Sequence, residues 1–171
     1  MKKIIITAIK LLLALSIVVL LLSCIPKTID INYPAVQYSQ DDPTIVKNIN
    51  ITMKGKLYKP LFFNSKYVGT CIIEGYDFTK DYQLIDIKFK NRNSGLGILS
   101  YSTILTDGTP EIKQIGDIWL SQSINKLNIF GVAPKDIGIN GSFESVIISA
   151  PANTLDEAKR ITDEWRSKVK K

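Results

Sequence analysis

The chain contains no histidine. Histidine is the general base of Ser-His-Asp and Cys-His systems and the commonest metal ligand, so these catalytic systems and all imidazole metal sites are excluded. With only Cys24 and Cys71 as thiols, we expect no zinc site either. Gly95-Leu96-Gly97 lacks the third glycine and the strand-to-helix setting of a dinucleotide-binding turn, so it indicates a hairpin turn. We therefore predict no catalytic residue, no metal site and no cofactor.

The first 23 residues have the pattern of a secretory leader. Residues 11–22 are uninterrupted apolar and small residues, within the ~7–15 residues expected of a signal-peptide core. A membrane-spanning helix needs about 20 apolar residues, so here it would have to include Lys10. Insertion of a lysine into the membrane costs about 2.5–3.5 kcal/mol. An uncleaved signal anchor is therefore the weaker alternative. The leader carries three positive charges, Lys2, Lys3 and Lys10.

The leader ends in Leu21-Leu22-Ser23-Cys24, with a bulky residue three positions before the cysteine and a small one immediately before it. Over residues 1–24 the chain resembles bacterial lipoproteins, whose lipobox has this pattern. The resemblance implies cleavage between Ser23 and Cys24 and attachment of diacylglycerol, with palmitate-type acyl chains, to the thiol of Cys24. Two acyl chains anchor a protein stably, since each buried methylene contributes ~0.8 kcal/mol. We expect a protein anchored in the cell membrane and facing outside the cytoplasm.

Removal of the leader changes what the composition indicates. It removes three lysines and no acid, which leaves 19 basic and 16 acidic residues and lowers the formal net charge from +6 to +3. The remaining basic residues are interspersed with acids, so nucleic-acid binding is not expected. Once Cys24 carries lipid, Cys71 has no thiol partner, and its apolar neighbours Ile72 and Ile73 predict a buried core position.

Residues 24–43 are predicted to form a lipidated N-terminus and an extended tether. Three prolines interrupt this segment, which lacks sustained periodicity: Pro26, Pro34 and Pro43. At ~3.1 Å per residue, such a tether would hold the domain up to roughly 50–60 Å from the lipid surface. Alternatively, its apolar residues cover an edge of the domain. Residues 44–171 are predicted to form a single β-rich domain.

The domain has the period-two pattern of half-buried strands. It is clearest at residues 49–58, where Ile49, Ile51, Met53, Gly55 and Leu57 alternate with polar residues, and at Ile85, Ile87 and Phe89. Short connections favour antiparallel neighbours. We therefore predict a mainly β fold, an antiparallel meander of about seven strands that is barrel-like or strongly curved. Further strands are expected at residues 67–75, 98–105, 111–120, 124–132 and 143–150.

An amphipathic helix is predicted at residues 154–170. Thr154 and Glu157 form a capping-box pair, acids occupy the first turn and basic residues the end. An apolar stripe at helical spacing indicates that the helix packs on one face or one open end of the sheet. The stripe consists of Leu155, Ala158, Ile161, Trp165 and Val169.

Two groups of carboxylates permit an alternative as a hydrolase or a calcium-binding protein. The first group lies in a predicted loop and consists of Glu74, Asp77 and Asp81. The second group is better explained as turn and exposed strand residues and consists of Asp107, Glu111 and Asp117. The first group lacks the alternating ligands and the turn glycine of an EF-hand loop, so turn and surface roles are the simpler interpretation. Asp77 and Asp81 are the candidates for hydrolase chemistry.

The aromatic residues are numerous enough to fill a core and leave a few at strand ends. A roomy apolar cavity would favour a calycin-like carrier of a small apolar ligand, and a filled core with an exposed aromatic patch would favour a binding protein. The residues are Tyr58, Phe62, Phe63, Tyr67, Tyr76, Phe78, Tyr82, Tyr101, Trp119 and Phe130.

The lipobox, tether, β-meander and terminal helix together are similar to small uncharacterised lipoproteins of low-GC Gram-positive bacteria, and this likeness implies no functional residues. Our principal hypothesis is a non-enzymatic binding or accessory module of the cell envelope. Its expected partners are the lipid bilayer, through acylated Cys24, and an envelope protein or a small apolar ligand. The carrier and the carboxylate-based hydrolase remain the alternatives.

Overall fold

The computed structural model describes residues 2–23, 25–42, 44–90, 95–121, 123–132 and 145–169. The fold is mainly β, as predicted. Three described helices are α1 (Lys2–Ser23), α2 (Phe78–Asp81) and α3 (Leu155–Val169). The described strands are β1 (Lys27–Ser39), β2 (Val46–Tyr58), β3 (Lys66–Ile73), β4 (Gln83–Leu84), β5 (Ile87–Lys88), β6 (Leu96–Ile104), β7 (Pro110–Leu120), β8 (Leu127–Val132) and β9 (Ser145–Ala150).

These strands form one curled antiparallel sheet in the order β4-β6-β7-β8-β9-β1-β2-β3-β5. The predicted antiparallel fold with a C-terminal helix is therefore confirmed, with nine described strands where about seven were expected. Most predicted strands are present with ends shifted by up to three residues. Residues 143 and 144 of the last predicted strand lie outside the described residues.

Strands β4 and β5 bring the two edges of the sheet together. Leu84 in β4 pairs with β6, whereas Ile87 in β5 pairs with β3 at the other edge. The prediction of one regular strand from Ile85 to residue 90 is therefore wrong. Ile87 and Phe89 are buried as expected, but Ile85 is 38% exposed and Leu84 is buried in its place. The chain changes edges here, and the alternation shifts with it.

Strand β2 follows its predicted alternation. Ile49, Ile51, Met53 and Leu57 are buried, while Asn50 and Lys54 between them are exposed. The fifth inward position, Gly55, lies directly opposite Gly69 of β3. A Cβ atom on Gly55 would lie 2.2 Å from the carbonyl oxygen of Val68, so the two backbones approach too closely for a side chain.

The tether predicted for residues 24–43 is wrong for Lys27–Ser39. These residues form β1, a long strand at the centre of the sheet, paired with β2 on one side and β9 on the other. The β-rich domain therefore begins well before residue 44. Ile29 and Ala35 are buried with the interior cluster, and Val36 and Tyr38 are buried beneath α3.

Pro34 does not break β1, because no residue of β9 lies opposite the position where its N–H group is missing. The carbonyl of Pro34 accepts a hydrogen bond from the N–H of Ala152 (2.9 Å), so the Pro34 backbone faces the side where β9 has already ended. The residues of β2 opposite Pro34 therefore lose no hydrogen bond. A proline inside a strand is tolerated at such a position.

Helix α3 packs on the outer face of the sheet. Glu157 N–H donates to the Oγ1 of Thr154 (3.3 Å), which confirms the predicted capping contact. Ala158 and Ile161 are buried against Val36 and Ile147, and the Trp165 ring stacks on Phe130 with centroids 6.0 Å apart. The predicted end of the helix at Lys170 lies outside the described residues.

Helix α1 covers the predicted leader and ends at Ser23. Most of its described apolar side chains are exposed, including Ile4 and Leu11. Among the described residues, no helix combines the length and the apolarity needed to cross a membrane.

Candidate functional site

The predicted cleavage site lies immediately before the sheet. Ser23 is the last residue of α1, and Lys27 is the first residue of β1. Cys24, the predicted lipidation residue, lies outside the described residues. Only Ile25 and Pro26 separate it from β1 in the sequence.

Strand pairing shows which other segments surround the start of β1. Lys27 is opposite Leu57, so the loop that follows β2 lies at the same end of the sheet as the N-terminus of β1. Lys66 is opposite Lys88, which brings the end of β5 to this end as well. We call residues 25–27, 59–66 and 88–90 the anchor end.

The anchor end exposes large apolar side chains. Phe62 is 80% exposed and Phe63 is 74% exposed, and Ile25 is exposed at the same end of the sheet. Water contacts most of the surface of both phenylalanine rings. Exposed apolar side chains that lie next to each other are the kind of surface that proteins use for interaction.

Positive charge surrounds these apolar side chains. Lys27 and Lys59 lie close enough that the charge of Lys27, after the larger effect of burial, lowers the pKa of Lys59. Lys66 lies 3.7 Å from Asp86, and its ammonium is 5.2 Å from the centre of the Tyr58 ring. The basic residues of the anchor end are Lys27, Lys59, Lys66, Lys88 and Lys90.

The opposite end of the sheet carries a second exposed apolar group, on the hairpin of β6 and β7. Ile104 is 75% exposed, and Ile112 and Leu105 are exposed near it. We call these three residues the distal hairpin. The carbonyl of Leu96 accepts a hydrogen bond from the N–H of Lys90 in the anchor end, and β6 runs from Leu96 to Ile104. Along this strand the two ends of the sheet are roughly 25–30 Å apart.

The loop carboxylates have structural partners. Glu74 accepts hydrogen bonds from the backbone and side-chain amides of Asn50, at 2.8 and 2.9 Å. Asp77 lies 2.8 Å from Lys80, and this hydrogen bond and charge lower the pKa of Asp77. Asp81 is the last residue of the short helix α2. These contacts match the interpretation of turn and surface roles.

The second group of carboxylates is spread along β7 and its turn. Asp107 accepts a hydrogen bond from the N–H of Thr109 at 2.9 Å, which lowers the pKa of Asp107 and closes the turn. Glu111 accepts from the Tyr82 hydroxyl, and this bond raises the pKa of Tyr82. Asp117 lies farther along β7, opposite Phe130. Within the described ranges, no cluster of three or more acidic or cysteine side chains is arranged to hold a metal ion.

Side chains pack the interior of the sheet. Phe78 contacts Tyr76, Tyr82 and Tyr101 edge to face, with the ring centres of Phe78 and Tyr101 5.5 Å apart. Cys71 is buried here as predicted, and burial raises the pKa of its thiol to about 12. A thiol in this setting is unreactive.

Phe62 and Phe63 are the feature that sequence reasoning missed. They belong to the ten aromatic residues that were expected to fill a core and leave a few at strand ends, and five of these ten are buried: Tyr67, Tyr76, Phe78, Tyr101 and Trp119. A local signal is present: both follow Pro60 and precede Asn64-Ser65, which places them in a loop between strands. Their shared position with the start of β1 depends on strand pairing.

No family model, no curated protein and no solved structure matches this chain. The residues of the anchor end, the distal hairpin and the α3 interface therefore provide the basis for assigning a function.

A buried polar cluster holds α3 on the sheet. The Thr162 hydroxyl lies 2.8 Å from the Tyr38 hydroxyl and 3.1 Å from the Ser149 hydroxyl. The Asn128 amide donates to both Ser149 (2.8 Å) and Thr162 (2.9 Å). These four residues come from β1, β8, β9 and α3, so their hydrogen bonds specify where the helix sits.

Open grooves flank α3 on both sides. One of about 480 Å³ is bordered by Trp119, Ser121, Lys126 and Glu164, and another of about 230 Å³ by Tyr38, Gln40 and Arg166. In the larger groove, Glu164 accepts hydrogen bonds from Lys126 and Lys168, both at 2.7 Å. These bonds lower the pKa of Glu164.

The ion pairs of Glu164 predict a pH-dependent contribution to stability. Because its pKa in the folded chain is below the ordinary value of 4.5, the contribution is present above that value and is lost as the pH falls through the folded pKa. We expect Glu164→Gln to lower the free energy of unfolding by about 0.5–1 kcal/mol at pH 7. In urea titrations the difference from wild type should disappear in acid. Asp163→Asn, at the exposed neighbouring position, is the control. An equal loss of free energy of unfolding in both variants at pH 7 would contradict a stabilising role of the Glu164 ion pairs.

Proposed function

We propose that this chain is a membrane-anchored extracytoplasmic lipoprotein whose β-domain is a non-enzymatic binding or accessory module of the cell envelope. One observation carries the proposal: the lipobox cysteine stands three residues before the first strand. Cleavage before Cys24 would remove α1 and leave every described strand in the mature chain. The lipid would then be attached at the very start of the folded domain.

The arrangement of polar groups supports a binding role over catalysis. Asp77, one of the two candidates for hydrolase chemistry, is exposed and paired with Lys80, and its pKa is lowered. A general acid needs a raised pKa in a sheltered site. The exposed apolar side chains at the two ends of the sheet are instead the kind of surface that proteins use for interaction.

Packing also favours a binding module over a carrier of an apolar ligand. Inward-facing residues from both halves of the sheet, such as Met53 and Leu99, belong to one cluster of buried side chains. The two described grooves lie beside α3, and polar side chains border both. A filled core with exposed aromatic residues is the combination that favours a binding protein.

Localisation and acylation test the proposal together. We expect the tagged full-length chain, made in a bacterium that processes lipoproteins, to incorporate a palmitate analogue and to sediment with membranes. Protease added to cells stripped of their outer layers should degrade it while a cytoplasmic marker survives. An unlabelled chain would contradict the lipid anchor, and a labelled but protected chain would contradict the orientation.

The same membranes test the binding role. After mild cross-linking and solubilisation, capture through the tag should recover the same envelope component in replicate preparations. The Ile104→Asp/Ile112→Asp variant tests whether the distal hairpin makes this contact, because it changes the exposed distal hairpin and leaves the anchor end intact. Failure of the acylated wild-type chain to recover any reproducible component would overturn the binding role.

A further inference from the structure

The start of β1 leaves little freedom between the sheet and the predicted lipid. Three Cα-to-Cα steps separate residue 24 from Lys27, so this link spans at most about 11 Å. A tether of the predicted length would have let the domain move freely above the bilayer. With the short link, the anchor end must stay next to the membrane whenever Cys24 is acylated.

We propose that the loop of residues 59–65 enters the interfacial layer of the anchoring bilayer, with Phe62 and Phe63 among the upper acyl chains and the surrounding lysines at anionic phospholipid headgroups. The partner of the anchor end is thus the phospholipid surface itself. This inference rests on the proposed lipoprotein function and deepens it: the domain is held in one orientation by lipid contacts as well as by the lipid anchor.

The exposure of the two rings supports this orientation. Phe62 and Phe63 are 80% and 74% exposed, and nothing in the described part of the chain covers them. Phenylalanine is among the residues whose apolar surface peripheral proteins bury in the membrane interface, and this burial drives their binding. The exposed side chain of Ile25 lies between the predicted lipid and the sheet and adds to the same surface.

The charge of the anchor end fits an anionic surface. Lys27, Lys59 and Lys88 lie at the strand ends that surround the loop. Lys66 forms an ion pair with Asp86 at 3.7 Å. Burial and, after it, the charge of Lys27 lower the pKa of Lys59, so these two lysines lie close together at this end. Each lysine close to an anionic membrane strengthens binding by about fivefold.

The distal hairpin offers an internal comparison. Ile104 is 75% exposed, almost the same as Phe63, but it lies at the other end of β6. If the domain stands on its anchor end, Ile104 lies away from the lipid, at the far end of a strand that is roughly 25–30 Å long. Phe63 and Ile104 are therefore equally exposed in water, but we expect only Phe63 to contact the membrane.

Site-specific labelling tests this orientation. Phe63→Cys and Ile104→Cys would each be made in the full chain, processed and acylated in cells, labelled with an environment-sensitive thiol dye and reconstituted into phosphatidylcholine–phosphatidylglycerol vesicles. Cys71 is buried with its pKa raised to about 12, and Cys24 is acylated, so the new thiol takes the dye. We expect nitroxides on the lipid tails to quench the dye at residue 63 and aqueous iodide to quench the dye at residue 104.

The outcomes separate the inference from the proposed function. Equal access of iodide to both positions in an acylated chain overturns the inference and leaves the lipid anchor standing. Equal shielding of both positions also overturns it, because the domain would then lie on its side. A chain that carries no acyl group overturns the proposed function and the inference together.

Removal of the rings gives a second measurement that does not depend on a dye. Phe62→Ser/Phe63→Ser is expected to speed transfer of the acylated chain between vesicles by at least ~10-fold, since full burial of one phenylalanine is already worth that factor. Ile104→Ser/Ile112→Ser is the matched control and should transfer like wild type. Unchanged transfer of the phenylalanine variant, with thermal unfolding like that of wild type, overturns the inference.

Discussion

Replacement of Cys24 by serine is expected to abolish both acylation and cleavage of the leader. The resemblance to lipoproteins assigns the acyl attachment to the Cys24 thiol, and a serine hydroxyl is a much poorer nucleophile than a thiolate. The variant should lose all palmitate label, and its intact mass should include residues 1–23. Metabolic labelling followed by mass spectrometry of the membrane fraction measures both results.

Cys71→Ala is the matched control for this experiment. Cys71 is the other thiol of the chain and is buried in the core, so its removal should leave labelling and processing unchanged. A Cys24→Ser variant that still incorporates palmitate and matures normally would refute the lipoprotein assignment. If the leader is instead a retained signal anchor, wild type and variant should both be unlabelled and keep residues 1–23.

Gly55→Ala is expected to cost the domain about 3 kcal/mol or more of its free energy of unfolding. The new Cβ would lie 2.2 Å from the carbonyl oxygen of Val68 and 2.7 Å from the Cα of Gly69. Both atoms belong to the backbone, so β2 and β3 would have to separate at the point where these two glycines face each other. The midpoint of a urea titration, followed by tryptophan fluorescence, measures the loss.

Gly108→Asn provides the comparison. Gly108 lies in the turn between β6 and β7 at φ +84°, where a Cβ would meet no atom within 4 Å, and asparagine tolerates positive φ. We expect its free energy of unfolding to fall by less than about 1 kcal/mol. A small effect of Gly55→Ala, similar to that of Gly108→Asn, would contradict the close approach of β2 and β3.

The position of Gly55 also bears on the anchor end. Gly55 lies in the part of the sheet where β1, β2 and β3 extend towards the anchor end, and Cys24 lies just before β1. A shift between β2 and β3 would also move the loop that carries Phe62 and Phe63. The fold of this corner and the proposed membrane contact are thus connected through the same strand pairings.

Local patterns predicted some elements well. Strand β2 has its inward residues at every second position, and α3 has its apolar stripe at helical spacing with a capping pair at its start. In both elements, the residues that decide the structure are neighbours in the sequence. Cys71 was also predicted to be buried from its apolar neighbours, and it is.

Long-range pairing decided the elements that were predicted wrongly. Val36 of β1 pairs with Ser149 of β9, more than a hundred residues away, and this pairing turns the expected tether into a central strand. Pro34 argued against a strand, but β9 ends before it reaches that position. Ile85 follows an alternating pattern, yet the chain crosses between the edges of the sheet there, and Ile85 faces outward.

The amino-acid sequence by itself determined the β class of the domain, the helix at its C-terminal end and the position of the cysteine on which the lipoprotein prediction depends. Each of these follows from periodicity or from a motif of a few adjacent residues. Only the tertiary structure decided that the sheet begins at Lys27, that Phe62 and Phe63 lie at the same end as that start, and that α3 covers the outer face. The physical reason is that the hydrogen bonds and packing contacts that set these positions join segments far apart in the chain.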